Sequence, residues 1–379
     1  MNYAGRIECL RMEMQSQGLV GVFVPLDASL EYFTGLFRAR VNNTRTRQNS
    51  AEYACLLVME KQVVYFNPRI LMPPRVMAKI GQNPVINEIV PFPDADLTGE
   101  TLAAACTRFG LKGKKLGFLQ DISSSLIVRI QQELSVNWVN FDRVVQMMRL
   151  RKDQEELALM RKAAAINDKI YDAVFPMLQP GVTVNEIISE IDRLMVVFGA
   201  TYNSFNTIVM NFGPAEGVSY GDRYPVLQRG YALSYDYGVY YKGYCSDFGR
   251  TIFFGEPKSD LIKAHGLVVQ AQKETVAAMK AGHITGEELD NLAHKIISDG
   301  GYGEAFTHFV GHSIGKDVHE RPFLAEGEKF VLEEGMCFTV EPSICLPNKG
   351  YVRMEDVVMA TPSGGESFNT TTRDLVVIE

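Results

Sequence analysis

Apolar residues in the first part of the chain fall into short runs of two periods. Leu19-Val-Gly-Val-Phe-Val24, Tyr53-Ala-Cys-Leu-Leu-Val-Met59 and Val63-Val-Tyr-Phe66 are dense in β-branched and aromatic side chains and predict strands. Lys115-Leu-Gly-Phe-Leu119 predicts another. Arg6 to Gln17, Thr98 to Arg108 and Ser123 to Leu134 space their apolar residues at helical intervals. This alternation predicts an α/β domain over residues 1–150. No phosphate-binding glycine fingerprint follows any of its strands, which excludes a dinucleotide domain.

A second pattern begins after Met148-Arg-Leu-Arg-Lys152. Asp153 with Glu156 marks a helix start, and Leu159, Ala163, Ile166, Ile170 and Val174 mark one face of a long helix. The rest, residues 151–379, repeats itself. Met177, Thr183, Glu186, Ile187, Leu194 and Gly199 match Met279, Thr285, Glu288, Leu289, Ile296 and Gly301 at one constant offset. Both copies open with Thr-x-x-Glu, a capping box that satisfies free N–H groups at a helix start. An ordered set of matches of this kind predicts an internal duplication.

Each copy continues into a strand, a short turn and a second strand. The first reads Gly230-Tyr-Ala-Leu-Ser-Tyr-Asp236, then Gly243-Tyr-Cys-Ser-Asp247. The second reads Gly335-Met-Cys-Phe-Thr-Val-Glu341, then Gly350-Tyr-Val-Arg-Met-Glu355. A tip at Tyr241-Lys242 predicts that Asp236 faces Asp247. A tip at Pro347-Asn348-Lys349 predicts that Glu341 faces Glu355. Directly opposed residues of an antiparallel pair share a face, with Cβ atoms roughly 5 Å apart. Two carboxylates at that distance repel, and burial worsens it. A chain that builds this twice calls for cations.

Composition narrows the setting. The 46% hydrophobic and 22% charged residues describe a globular chain, and its length suggests two or three domains. A net charge of −7 argues against a nucleic-acid partner. No apolar run reaches membrane-spanning length and the amino terminus has no secretory pattern, so a cytoplasmic protein without membrane contact is expected. The six cysteines lack Cys-x-x-Cys spacing and read as reduced thiols.

All six histidines lie after residue 264, so the first domain offers no imidazole. Three of them, His308, His312 and His319, lie between the two carboxylate hairpins. Gly311 and Gly315 flank His312 and predict loop or strand there rather than helix. The candidate set is Asp236, Asp247, His312, Glu341 and Glu355. Its charge is too negative for one divalent ion but balances two. The oxygen-rich donors suit manganese best, with cobalt, zinc or iron as alternatives. Two adjacent ions lower the pKa of a shared water and polarise a carbonyl, which is hydrolytic chemistry.

Asp236-Tyr-Gly238, Gly243-Tyr-Cys-Ser-Asp247, Arg250-Thr251, Gly311-His312-Ser-Ile-Gly315, Val318-His319-Glu320, Thr339-Val-Glu341-Pro342 and Arg353-Met-Glu355-Asp356 together resemble the pita-bread metallopeptidases. The pattern is most similar to Xaa-Pro aminopeptidases and prolidases, with creatinases sharing the fold. Tyr32-Phe-Thr-Gly35 resembles the Tyr-Leu-Thr-Gly of their amino-terminal domain. The resemblance covers nearly the whole chain. It implies an α+β protein with an internally duplicated pita-bread domain behind an N-terminal creatinase/prolidase-type α/β domain.

The resemblance also implies roles. Asp236 would hold one metal, Asp247 and Glu355 would bridge both, and His312 and Glu341 would complete the other. A metal-bridging hydroxide would attack the carbonyl before proline in a small peptide, with Glu341 shuttling the proton. His308 and His319 would bind substrate and stabilise the tetrahedral intermediate, and Arg353 would lie near a proline pocket. A homodimer is implied as well. One departure stands out: Tyr220 takes the place of a histidine usual in relatives, which predicts weak Xaa-Pro cleavage. Arg38, Arg40, Arg45 and Arg47 stand in one acid-free segment, able to grip a substrate carboxylate or to lie solvated.

Three other readings compete. A creatinase-like hydrolase of a small amidine or amide is disfavoured because creatinases lack these ligands. A metal-dependent lyase acting on a small non-peptide substrate is a further reading. A non-catalytic binding member of the fold is opposed by the intact ligand set and the acidic charge.

Overall fold

The computed structural model describes residues 1–37, 53–96, 99–212, 226–347 and 349–379. The chain separates into two compact units, Met1–Arg149 and Leu150–Glu379.

The first unit is built in the order α1 (Tyr3–Ser16), β1 (Gly21–Pro25), α2 (Ala28–Thr34), β2 (Cys55–Met59), β3 (Val63–Pro68), α3 (Pro74–Gly81), β4 (Glu88–Phe92), α4 (Glu100–Arg108), β5 (Lys115–Phe118), α5 (Ser124–Leu134), β6 (Asn137–Asn140) and α6 (Asp142–Leu150). Its six strands form one sheet, β4-β3-β2-β1-β5-β6. The apolar runs are continuous because both faces are covered. Phe23, Cys55, Leu57, Val64 and Phe66 pack with Leu102, Cys106, Leu126 and Ile130 of α4 and α5. Val22, Val24, Leu56, Val58 and Val63 alternate with them and pack with Ile7, Leu10, Leu30 and Phe33 of α1 and α2.

The second unit shows the duplication. Its first half runs α7 (Gln154–Val174), α8 (Val184–Val197), β7 (Tyr202–Asn203), β8 (Ile208–Phe212), β9 (Ala232–Tyr237), β10 (Val239–Tyr241), β11 (Tyr244–Cys245) and β12 (Phe248–Phe254). The second half runs α9 (Ser259–Ala278), α10 (Gly286–Asp299), β13 (Gly311–Ser313), β14 (Glu320–Leu324), β15 (Cys337–Val340), β16 (Ser343–Leu346), β17 (Gly350–Arg353), β18 (Asp356–Thr361) and β19 (Gly364–Ser367), followed by β20 (Val376–Ile378). Both predicted capping boxes are formed: the backbone N–H groups of Thr183 and Thr285 each donate to their Glu partner at 2.8 Å. Each half lays its two helices on its own sheet. Ile166, Ile170, Ile187 and Ile191 pack on Leu233, Tyr235 and Ile252. Val268, Ala271, Leu289 and Ala293 pack on Phe338, Val340 and Val358. The sheet orders are β20-β12-β9-β8 and β14-β13-β15-β18-β19.

The registers of the two hairpins differ in how they meet expectation. In the second, Ser343 pairs with Arg353 and Leu346 with Gly350, and Val340 pairs with Asp356 in the adjoining ladder. Glu341 and Glu355 therefore stand opposite each other at the break between the two ladders, as predicted. In the first, Asp236 pairs with Gly249, not with Asp247. Tyr240 pairs with Cys245 and Tyr241 with Tyr244, so the tip is Lys242-Gly243. The reason is turn chemistry: Lys242 and Gly243 have φ of 47° and 92°, and a two-residue type I′ hairpin needs positive φ at both central positions. The predicted tip would have forced Tyr241 into that region. An offset of two residues leaves the acids on the same face.

Candidate metal centre

Four strand segments deliver the predicted acids. Asp236 comes from β9, and Asp247 from the link between β11 and β12. Glu341 follows β15, and Glu355 precedes β18. His312 lies in the middle of β13, a strand as its flanking glycines indicate. All five are buried. Gly249 explains how Glu355 fits against β12: a Cβ there would lie 2.8 Å from Glu355 Oε2. The missing side chain is the space that the carboxylate occupies.

The imidazole is held in one tautomer. His312 Nδ1 lies 3.1 Å from the Ser313 carbonyl, which can only accept, so Nδ1 carries the proton. Nε2 then faces the acids, 3.5 Å from Asp247 Oδ2 and 3.5 Å from Glu341 Oε1. Thr339 braces this corner, accepting from the His312 N–H at 3.0 Å and donating to Glu341 Oε1 at 3.3 Å.

Arg353 enters the same cluster. Its Nη1 pairs with Asp236 Oδ2 and stands 3.7 Å from Glu355 Oε2, and its Nη2 lies 3.5 Å from Glu341 Oε2. One guanidinium cannot neutralise four acids. Burial pushes Asp236 up to about 7 against the pull of Arg353, and the charges of Asp247 and Glu341 add to it. Burial also raises Glu355 well above the carboxylate range, with Asp247, Glu341 and Asp236 adding to the rise. For His312 burial opposes the charged form, but Asp247 and Glu341 outweigh it and the pKa is raised.

These observations fit divalent cations. Glu355 Oε2 is buried with no hydrogen-bond partner. Asp247, His312 and Glu355 each bring a ligand atom within 4.8 Å of the others. The donors are hard oxygens plus one imidazole nitrogen, a set suited to manganese, iron, cobalt or zinc.

The other two histidines border the cluster. His319 keeps solvent contact but has its ring centroid 4.2 Å from that of His312, and partial desolvation with the neighbouring His312 lowers its pKa. His308 gives its Nδ1 proton to the Phe309 carbonyl at 2.8 Å, and its Nε2 accepts from Ser343 Oγ at 2.6 Å. Burial lowers its pKa, so a neutral ring faces Ser343. Tyr220 and the segment with Arg38, Arg40, Arg45 and Arg47 lie outside the described residues. Sequence reasoning gave no role to Gly249, Thr339 or Ser343. The first left no signal, because the predicted register put Asp247 rather than Gly249 opposite Asp236; the others lie within two residues of Glu341.

The fold and site define a class: a duplicated pita-bread unit with a buried acid-and-histidine metal centre, preceded by a creatinase-type α/β unit. Residues 158–362 match metallopeptidase family M24, and residues 6–151 match the creatinase/prolidase N-terminal domain. The chain belongs to metallopeptidase family M24. It is 38% identical over 232 residues to an Xaa-Pro dipeptidase of Lactobacillus delbrueckii subsp. lactis, a match covering 61% of this chain and 63% of the relative. It resembles the solved Xaa-Pro dipeptidase from Bacillus anthracis with a TM-score of 0.86 and 31% identity, each chain covered in full. An X-Pro aminopeptidase from Thermotoga maritima matches with a TM-score of 0.82 and 26% identity, over 98% of this chain and 99% of that one.

Proposed function

We propose that this chain is a dinuclear metal-dependent hydrolase of small Xaa-Pro peptides, of the dipeptidase type. The observation that carries the reading is the buried cluster of four carboxylates and one oriented imidazole, in which Glu355 Oε2 has no hydrogen-bond partner. Asp236, Asp247, His312, Glu341 and Glu355 would hold two divalent ions, manganese by preference. Bound there, the ions supply Lewis acidity to the carbonyl before proline and make water nucleophilic near neutral pH.

The chain's own groups do the rest. Glu341 takes a proton from the attacking water and returns it to the proline nitrogen as the C–N bond breaks. Thr339 holds Glu341 Oε1 for that exchange, 3.3 Å away. His308 and His319 sit at the rim as hydrogen-bonding groups for the developing oxyanion and the substrate. Arg353 partly compensates the acid cluster and borders the substrate. Tyr220 substitutes as a donor that is not a general acid near neutral pH, which weakens turnover. The working form is a cytoplasmic homodimer. Likeness to the Xaa-Pro dipeptidases supports the substrate class.

The test is a screen of Ala-Pro, longer Ala-Pro peptides and small amidines, each with and without manganese. Manganese-dependent release of proline from Ala-Pro is the expected result. Turnover of amidines alone would move the site to the creatinase-like reading, and turnover of nothing to a binding role.

A further inference from the structure

The second half of the second unit gives its last strand to the first half's sheet. β18 and β19 belong to the second half's sheet, whereas β20 runs parallel to β12 in the first half's sheet. The chain between β19 and β20 must therefore cross from one half to the other. Arg250 of β12 sits where it crosses.

Arg250 is 2% exposed, and every one of its N–H groups has an acceptor. Nε donates to the Thr372 carbonyl at 3.0 Å. Nη1 donates to the carbonyls of Gly249 at 2.8 Å and Glu355 at 2.7 Å. Nη2 donates to Asp356 Oδ1 at 2.7 Å and to the Thr371 carbonyl at 3.0 Å. Four of these five acceptors are main-chain carbonyls, in three segments far apart in sequence. Asp356 is fully buried and also accepts from Gln272 Nε2 at 2.6 Å and from Arg373. Asp168 of α7 grips the crossing segment as well. It accepts from the Thr370 N–H at 2.8 Å, Thr370 Oγ1 at 2.9 Å, Thr371 Oγ1 at 2.8 Å and Asn369 Nδ2 at 3.2 Å.

Burying a guanidinium is costly unless all its donors are satisfied, and this one is satisfied by the backbone around a site acid. The planar fork sets directions that a lysine ammonium, with three donors on a flexible stem, cannot reproduce. We propose that Arg250 is a positioning residue for the metal centre. Together with the crossing segment Asn369–Arg373 it fixes the main chain of Glu355, so that the carboxylate enters the space over Gly249. The inference rests on the reading of the acid cluster as a metal site, and it adds the crossing segment to that site.

The test is Arg250→Lys, which keeps the charge and loses the fork. In metal-free protein, hydrogen exchange across residues 353–357 is expected to quicken at least ~10-fold. Manganese affinity by calorimetry should fall about 10- to 100-fold, as for loss of an outer-shell partner, and kcat should fall with KM nearly unchanged. A lower melting temperature with wild-type exchange and wild-type manganese affinity would mean a merely structural role and overturn the proposal. Should the lysine variant not fold, Asp168→Asn loosens the same crossing segment and should move both readouts in the same direction by a smaller factor. Unchanged readouts there overturn it too. The exchange measurement needs neither metal nor substrate. Wild-type protein that binds manganese but releases no proline would sink the proposed activity and leave the clamp standing.

Discussion

At the scale of the residue, the centre depends on one absent side chain. Gly249 faces Asp236 across the strands, and its empty Cβ position is where Glu355 packs. Gly249→Ala keeps the backbone conformation, since the position does not require positive φ. The added methyl would meet Glu355 Oε2 at 2.8 Å and Arg353 Cδ at 3.0 Å. The variant is expected to fold with a near-normal melting temperature while manganese affinity drops by about 10- to 100-fold, the range for disturbing a ligand's support. Calorimetric titration checks it, and unaltered binding would refute the packing argument. The rim histidines give a complementary expectation. His308→Ala and His319→Ala should each lower turnover by about 100-fold, the scale for one acid–base or oxyanion group, with melting curves almost unmoved. Full activity in either form would remove that ring from the reaction.

At the scale of the element, α9 carries a titratable group with no part in the site. His265 is buried, lies edge-on to Phe253 of β12 at 6.2 Å, and its Nε2 has no hydrogen-bond partner among the described residues. Burial brings its pKa down to about 4, with Asp374 pulling the other way. The unfolded chain regains an ordinary value near 6.5. As pH falls from about 6.5, the unfolded state takes up the proton first, so stability declines until about pH 4 and then levels. The loss at full development is roughly 3 kcal/mol. Comparing melting temperatures of wild type and His265→Gln from pH 7 to 4 isolates this contribution. The variant should show the shallower decline, and parallel curves would contradict the burial argument.

At the scale of the whole molecule, the proposed homodimer is measurable. Light scattering at micromolar concentration should return twice the 42.3 kDa of one chain. A monomer at every concentration would exclude it. If the acid-free arginine segment grips a substrate carboxylate, Ala-Pro should be cleaved in preference to Ala-Pro-amide. Such a contact is worth roughly 2 kcal/mol, or about 30-fold in affinity. Equal rates would leave those arginines solvated.

Much of the architecture was legible along the chain because the signals that make it are local. Period-2 and helical spacing, the capping boxes at Thr183 and Thr285, and the repeated carboxylate hairpins each depend on residues a few positions apart. They sufficed for the duplication and for the Glu341–Glu355 register, and they nominated Asp247, His312 and Glu355, which the fold brings together. The Asp236 register was misjudged because it hinged on which two residues accept positive φ at the tip, Lys242 and Gly243. Other features were decided only in three dimensions. Arg353 lies among the acids because two strands from different halves meet there. The Arg250 clamp closes mainly on main-chain carbonyls of Gly249, Glu355, Thr371 and Thr372. Every residue carries a carbonyl, so no residue type marks those that a distant guanidinium will find once the chain has folded.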